Sequence, residues 1–146
     1  MTDAPSLYKL LAWMSPSYPI GAYTYSHGIE YGVEAGFITS AEETEIWISN
    51  IIMDGAGYSD AVFLGAAYDA TREKNESLLI AASEVASCFS ASKELSLETQ
   101  AQGDAFLEIT RKAWPCDALS WFTELWQGTY PYPVLIGVAA EGHEIE

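Results

Sequence analysis

Positive charge is what this sequence has least of. Six Lys and Arg stand against 21 Asp and Glu, a formal net charge of −15 over 146 residues. A chain this acidic repels phosphate backbones and anionic lipid, which excludes nucleic acid and membrane surfaces as partners and favours a basic protein or a cation. Cysteine is nearly missing too. Cys88 and Cys116 have no paired spacing, so neither a disulfide framework nor a zinc site is indicated. The longest apolar run, Val134 to Ala140, is too short to span a bilayer. The N-terminus, MTDAPSLYKL, lacks the basic start and apolar stretch of a secretory signal, so a cytoplasmic location is expected. No Walker loop, GxGxxG, HExxH, CxxC or GxSxG occurs. The motifs therefore nominate no enzyme and no cofactor.

Apolar residues are plentiful, at 49% of the chain, with five Trp, nine Tyr and five Phe. That suffices for a real core in a single domain over 1–146 and excludes disorder as the main state. The hydrophobic period is helical nearly throughout, and no alternation of period two lasts long enough for a strand. The expected fold is all-α, a compact multi-helix bundle. Leu7, Leu10, Leu11 and Met14 form one apolar stripe, with Pro5 in the first turn. The stretch Ser15 to Gly21 is dense in turn residues, and Pro16 and Pro19 stop the first helix before them. A second helix is expected from about Ser26 to Ala35, stopped by Gly36, with Ile29 and Val33 facing in.

Ser40 and Glu43 make a capping box ahead of a stripe of Ile46, Trp47, Ile51 and Ile52. Asp60 is placed to cap a helix carrying Val62, Phe63, Leu64, Ala67 and Tyr68. Leu78 to Ala91 reads as a buried helix. Lys93 to Trp114 reads as the longest amphipathic one, with Leu95, Leu97, Ala101, Ala105, Phe106 and Ile109 inward and Pro115 as its stop. Trp121, Phe122, Leu125 and Trp126 suit a short aromatic helix, and Pro133 starts a last helix to about Glu141. That last helix needs cover from the existing core, from further chain or from a partner.

Between Lys9 and Arg72 there is no cation, while Glu30, Glu34, Glu42, Glu43, Glu45, Asp54, Asp60 and Asp69 fall in that stretch. This is either a solvated acidic face or a docking face for a basic partner. His27, Glu30 and Glu34 share one face if helical, a ligand set suited to nickel, with helix capping and partner contact as the plainer reading. His143 reads as a mobile tail residue or a weak metal ligand. Cys88 reads as a buried, inert thiol, because no cation or histidine lies nearby in sequence to lower its pKa. Glu94, Glu98 and Glu108 read as a solvated stripe, with a small carboxylate hydrolase as the remaining enzymatic alternative.

Three blocks carry a family resemblance. Ser15-Pro-Ser-Tyr-Pro-Ile-Gly21, then Tyr25-Ser-His-Gly-Ile-Glu30 and Val33-Glu-Ala-Gly36, resemble the signature S-P-x-x-P-V-G-G-F-x-Y-S-(Q/H)-G-L-E followed by V-E-x-G of the urease accessory protein UreF family. Ala91-Ser-Lys-Glu-Leu-Ser-Leu-Glu98 with Gln102-Gly103 is similar to that family's A-S-R-E-x-R-x-E helix. Tyr132-Pro-Val-Leu-Ile-Gly-Val-Ala-Ala140 is similar to its Y-P-V-x-x-G-x-A-A segment. Ala22 departs from a second Gly and Lys93 from Arg. Members continue for several helices beyond the third block, where this chain ends in Glu141-Gly-His-Glu-Ile-Glu146, so the fold is expected to be incomplete relative to the family.

The resemblance implies an accessory protein, not an enzyme, in nickel incorporation into urease. It implies a homodimer that bridges the UreD/UreH scaffold and the GTPase UreG and acts on the urease apoprotein. Carried over position by position, it assigns Pro16, Pro19 and Gly21 to a rigid turn and Tyr25, Ser26, His27, Gly28 and Glu30 to a partner-facing segment. Glu34 extends that face, and Glu98 and Gly103 lie on the long helix. Gly28 and Gly103 are equally open to a packing role. The alternatives are a small acidic helical protein that holds nickel through His27, Glu30, Glu34 and His143, or a truncated, non-functional homologue.

Overall fold

The structure, a computed structural model, describes residues 4–145. Eight α-helices and no strand occur among them: α1 (Ala4–Trp13), α2 (Ile29–Glu34), α3 (Ala41–Met53), α4 (Ala56–Arg72), α5 (Glu76–Cys88), α6 (Lys93–Ala113), α7 (Asp117–Leu125) and α8 (Tyr132–Gly142). A single 3-10 turn, Ala22–Thr24, interrupts the link from α1 to α2. The fold is all-α, as the periodicity predicts.

The architecture is organised around α8. A helix that is apolar on every side must be enclosed, and every residue from Pro133 to Ala140 is buried. The last helix is therefore covered by its own chain: α4 is its most extensive neighbour, with α6, α7 and α5 completing the enclosure. Gly137 permits the α4 approach, because a Cβ there would run into the Leu64 carbonyl oxygen. On the α6 side, the fully buried Phe106 ring meets Trp13, Tyr18 and Tyr132 at 5.5, 5.9 and 5.7 Å between centroids. The Trp13 and Tyr132 contacts are edge-on, and such packing adds about 0.5–1.5 kcal/mol per pair beyond the area it buries.

Helix ends follow the expected chemistry at several points. Ser40, Asn75 and Ser92 each accept a hydrogen bond from the backbone N–H three residues on. Three helices close with paired 6→1 and 5→2 bonds around a left-handed residue. These are α2 at Gly36, α4 at Lys74 and α8 at Glu144. The last of them corrects the reading of the tail as mobile. Ile145 donates to the Ala140 carbonyl and is buried, and Ser6 Oγ donates to the His143 carbonyl at 3.0 Å. The His143 ring lies between the Lys9 ammonium, 2.9 Å from Nδ1, and the Trp114 carbonyl, 3.0 Å from Nε2. Desolvation, and then the Lys9 charge, hold its pKa below the ordinary histidine value.

Other expectations fail for identifiable reasons. In α1 the buried face is Ser6, Leu10 and Trp13, so Leu7, Leu11 and Met14 point to solvent. In α6 the expected row holds only in its second half, where Phe106 is buried and Ala105 and Ile109 are half-buried. Leu95, Leu97 and Ala101 are exposed, and the inward row is Glu98, Gln102, Phe106 and Thr110. Three of those four are polar, and their burial is made tolerable by hydrogen bonds within the row or to Tyr18. The N-cap of α4 is Gly55, which leaves Asp60 inside the helix. Cys88 is exposed, because only one side of α5 (Leu79, Ala82, Ser83, Ala86) is covered. Val33 faces outward, and the inward contact of α2 is Gly32 against Ile38.

Candidate partner-binding surface

The link between α1 and α2 is a bend pinned from inside. Pro16 and Pro19 lie exposed and fix the backbone, while Tyr18 and Ile20 between and after them turn inward. Tyr18 shares a 2.8 Å hydrogen bond with Thr110 Oγ1, and burial raises its pKa. Gly21, at φ 79°, precedes the 3-10 turn with open space where a Cβ would stand, so conformation alone asks for glycine there. Tyr25 follows, exposed, with its N–H on the Ala22 carbonyl.

The next reversal uses two left-handed residues in a row, His27 at φ 49° and Gly28 at φ 81°. For a histidine this costs roughly 1–2 kcal/mol. It is held by Trp47 of α3, whose Nε1 donates to the His27 carbonyl at 3.3 Å. The same ring lies 3.4 Å from where a Gly28 Cβ would be. The turn sets the start of α2 at Ile29, three residues later than the sequence suggests. His27 thus lies outside the helix and does not share a face with Glu30 and Glu34, which are both exposed on α2. Ser26 is half-buried behind the turn. Among the described residues no group of three or more His, Cys, Asp or Glu is disposed to hold a metal ion.

His27 turns instead toward α6. Its Nε2 lies 3.8 Å from Glu98 Oε1, and Gln102 Nε2 donates to the same oxygen at 3.0 Å. Glu98 is only 9% exposed. These residues sit in a cavity of 310 Å³ that opens between the His27 turn, α4, the end of α5 and the start of α6. Asp60 of α4 also lines it. Desolvation raises the Asp60 carboxyl above the ordinary aspartate range, the Glu98 charge adds to the rise, and His27 partly offsets it. Tyr132 lines the cavity from α8, and burial followed by Tyr18 pushes its hydroxyl up to about 12.

The structure thus brings His27 and Glu98 into one cavity and spreads Pro16, Pro19, Gly21, Tyr25, Gly28, Glu30 and Glu34 over one exposed stretch of chain. Gly103 is set apart. It is buried, and a Cβ there would run into the Tyr130 carbonyl oxygen, so it lets the 130–132 segment cross α6. Sequence reasoning missed two features. One is Asp60 as a cavity residue, hidden by its reading as a cap. The other is an exposed apolar surface on α2, α3 and the loop between them: Tyr31, Phe37, Ile46, Ile48, Ile52 and Met53. No residue of α3 is buried, although the helix carries four isoleucines. The absence of any cation from that stretch was the available signal that its stripe faces something other than the core.

Residues 38–146 match the family model described as UreF. The chain belongs to the UreF family. The urease accessory protein UreF of Rhodopseudomonas palustris strain BisB5 is 42% identical over 98% of this chain and 59% of its own length. The UreF proteins of Methylobacterium radiotolerans and Bradyrhizobium diazoefficiens are each 41% identical, over 97% and 98% of this chain and 62% and 59% of their own. The chain therefore spans about three fifths of the length of these UreF relatives. No solved structure matches it. Among the described residues no helix is long and apolar enough to cross a membrane.

Proposed function

We propose that this UreF-family chain works by protein recognition in the maturation of urease, in the cytoplasm and as a homodimer, and performs no chemistry of its own. In this reading it bridges the UreD/UreH scaffold and the GTPase UreG while nickel is incorporated into the urease apoprotein. The observation that carries the reading is the exposed bend. Pro16, Pro19, Gly21, Tyr25, His27, Gly28, Glu30 and Glu34 are displayed along a segment whose backbone is fixed by two prolines and two left-handed turns. A segment already rigid loses little entropy when a partner closes on it. The apolar, cation-free surface of α2 and α3 beside it has the composition of an interface awaiting a basic-rimmed partner.

Co-purification tests this directly. Tagged chain mixed with UreD/UreH and UreG should retain at least one of them through a wash at physiological salt. Folded chain that retains neither would end the proposal.

The nickel-binding alternative has less support. The three residues His27, Glu30 and Glu34 are not gathered, and the His143 ring nitrogens are engaged by Lys9 and Trp114.

A further inference from the structure

The cavity beside His27 has an unbalanced charge. Its lining includes Glu98, Asp60 and Asp54, and no Lys or Arg is among its lining residues. Four of the chain's six cations are engaged elsewhere. Arg72 pairs with Asp69 at 2.6 Å, Lys112 with Glu108 at 2.7 Å, Lys9 with His143 at 2.9 Å, and Lys74 lies 4.9 Å over the Trp121 ring. Among the described residues, the polar groups that face the inner carboxyl, Glu98, within 4 Å are an imidazole and an amide, His27 and Gln102. A carboxyl that is nine-tenths buried needs a counter-charge or a full set of donors to offset its lost hydration, and one amide bond is a partial set.

The wall beside Glu98 is apolar. Phe63 and Phe89 stand edge to face at 5.3 Å, and Leu95 and Pro133 continue the wall. Phe89 is 60% exposed, so the aromatic lip is open to solvent and to whatever approaches. The volume, 310 Å³, lies at the bottom of the range of ligand sites, about 300–1,000 Å³. An apolar wall leading to one buried carboxyl, with Asp60 closer to solvent and no room for a large ligand, is the mould of one long basic side chain. An aliphatic stem lies along the apolar wall while the head reaches the carboxyls. A planar guanidinium suits the site better than an ammonium, because its fork can serve the buried Glu98 and the more exposed Asp60 together and its face can rest on an aromatic ring.

We propose that this cavity is the socket for an arginine side chain presented by a partner protein, with Glu98 as its principal acceptor, Asp60 as the second and the Phe63–Phe89 pair as its wall. The idea rests on the reading of the chain as a recognition protein and gives that recognition an anchor. Interfaces draw most of their energy from a few such buried anchors, arginine prominent among them.

The test does not require the partner. The isotope-labelled chain is titrated with butylguanidinium, and the backbone amide signals are followed by NMR. Butylurea, which has the same shape and no charge, serves as control. The expected result is saturable shifts of residues 27, 60, 98 and 102, none of them reproduced by butylurea. Affinity should fall at least ten-fold in Glu98→Gln and several-fold in Asp60→Asn. Thermal melting of both variants checks that they fold, and Asp60→Asn, on a solvent-facing position, carries the test if Glu98→Gln does not. Shifts scattered over the acidic surface of α3, or equal shifts from butylurea, or affinity unchanged in the folded variants, would each overturn the socket. Any of those outcomes leaves co-purification with UreD/UreH and UreG unaffected. Loss of co-purification with the socket intact would instead remove the proposed function.

Discussion

The two halves of this molecule use apolar residues in opposite ways. Around α8 they are sealed: Val134, Leu135, Val138, Phe106, Phe122 and Leu119 are fully enclosed or nearly so. From the bend through α3 they are displayed: Tyr31 is 68% exposed, Phe37 63% and Ile46 54%. The second half also has no cation to soften its carboxylates. The contrast separates what holds the fold from what the fold presents. Stability resides in the α8 enclosure, and the exposed half is supported by a few local devices: the Ser40 cap, Trp47 under the His27 turn, and Tyr18 and Ile20 under the bend.

The largest test of that division is in the core. Phe106→Ala should cost about 3–5 kcal/mol, because it removes the ring that Trp13, Tyr18 and Tyr132 share. Denaturant unfolding measures it, and a loss below 1 kcal/mol would blur the division. Gly103→Ala and Gly137→Ala should each cost about 1–3 kcal/mol, since each new methyl meets a backbone carbonyl that has no flexible end to yield. Ser40→Ala should cost about 1 kcal/mol from the lost N-cap of α3, and hydrogen exchange should place that loss in α3 and leave α8 protected.

In the exposed half the same class of change should leave stability within about 0.5 kcal/mol. Phe37→Ser and Ile46→Ser are the variants to melt. A loss of several kcal/mol from either would show that the surface belongs to the fold.

A smaller effect concerns pH. The folded-state pKa of His143 is lowered, so the unfolded chain binds its proton more readily. Its contribution to stability is therefore present above the unfolded histidine value, about 6.5, and is lost as pH falls through the folded value. The raised carboxyl of Asp60 acts in the opposite sense at lower pH, so the comparison must be made between variants. Melting temperatures taken from pH 7.5 to 5.5 should fall less steeply in His143→Gln than in the parent chain. Parallel curves would mean that the Lys9–His143–Trp114 contact does not fasten α1.

One landmark in each half was legible in the sequence. A seven-residue apolar run after Pro133 dictates a buried helix, and the Ser40 and Glu43 spacing gives the α3 start. The errors share one physical origin: hydrophobic periodicity says which residues are alike, not which side is covered. In α1 and α3 the periodic stripe is real but only part of it is covered: Leu10, Trp47 and Ile51 are half-buried, and Leu7, Leu11, Met14, Ile46 and Ile52 face solvent. In α6 the covered row is polar, and only its tertiary partners make that possible. The His27 turn was illegible because a histidine at positive φ is held by Trp47, twenty positions away. The signature residues were found, but the cavity that joins His27 to Glu98 and Asp60 depends on the packing of α4 against the turn.

The central claim is that the exposed half exists to be bound. The most direct measurement is the affinity of a Tyr31→Ala, Phe37→Ala double variant for UreD/UreH and for UreG, set beside its melting curve. The account predicts an unchanged melt and at least a ten-fold weaker complex with one of the two. Full-strength binding to both by a normally folded variant would contradict it.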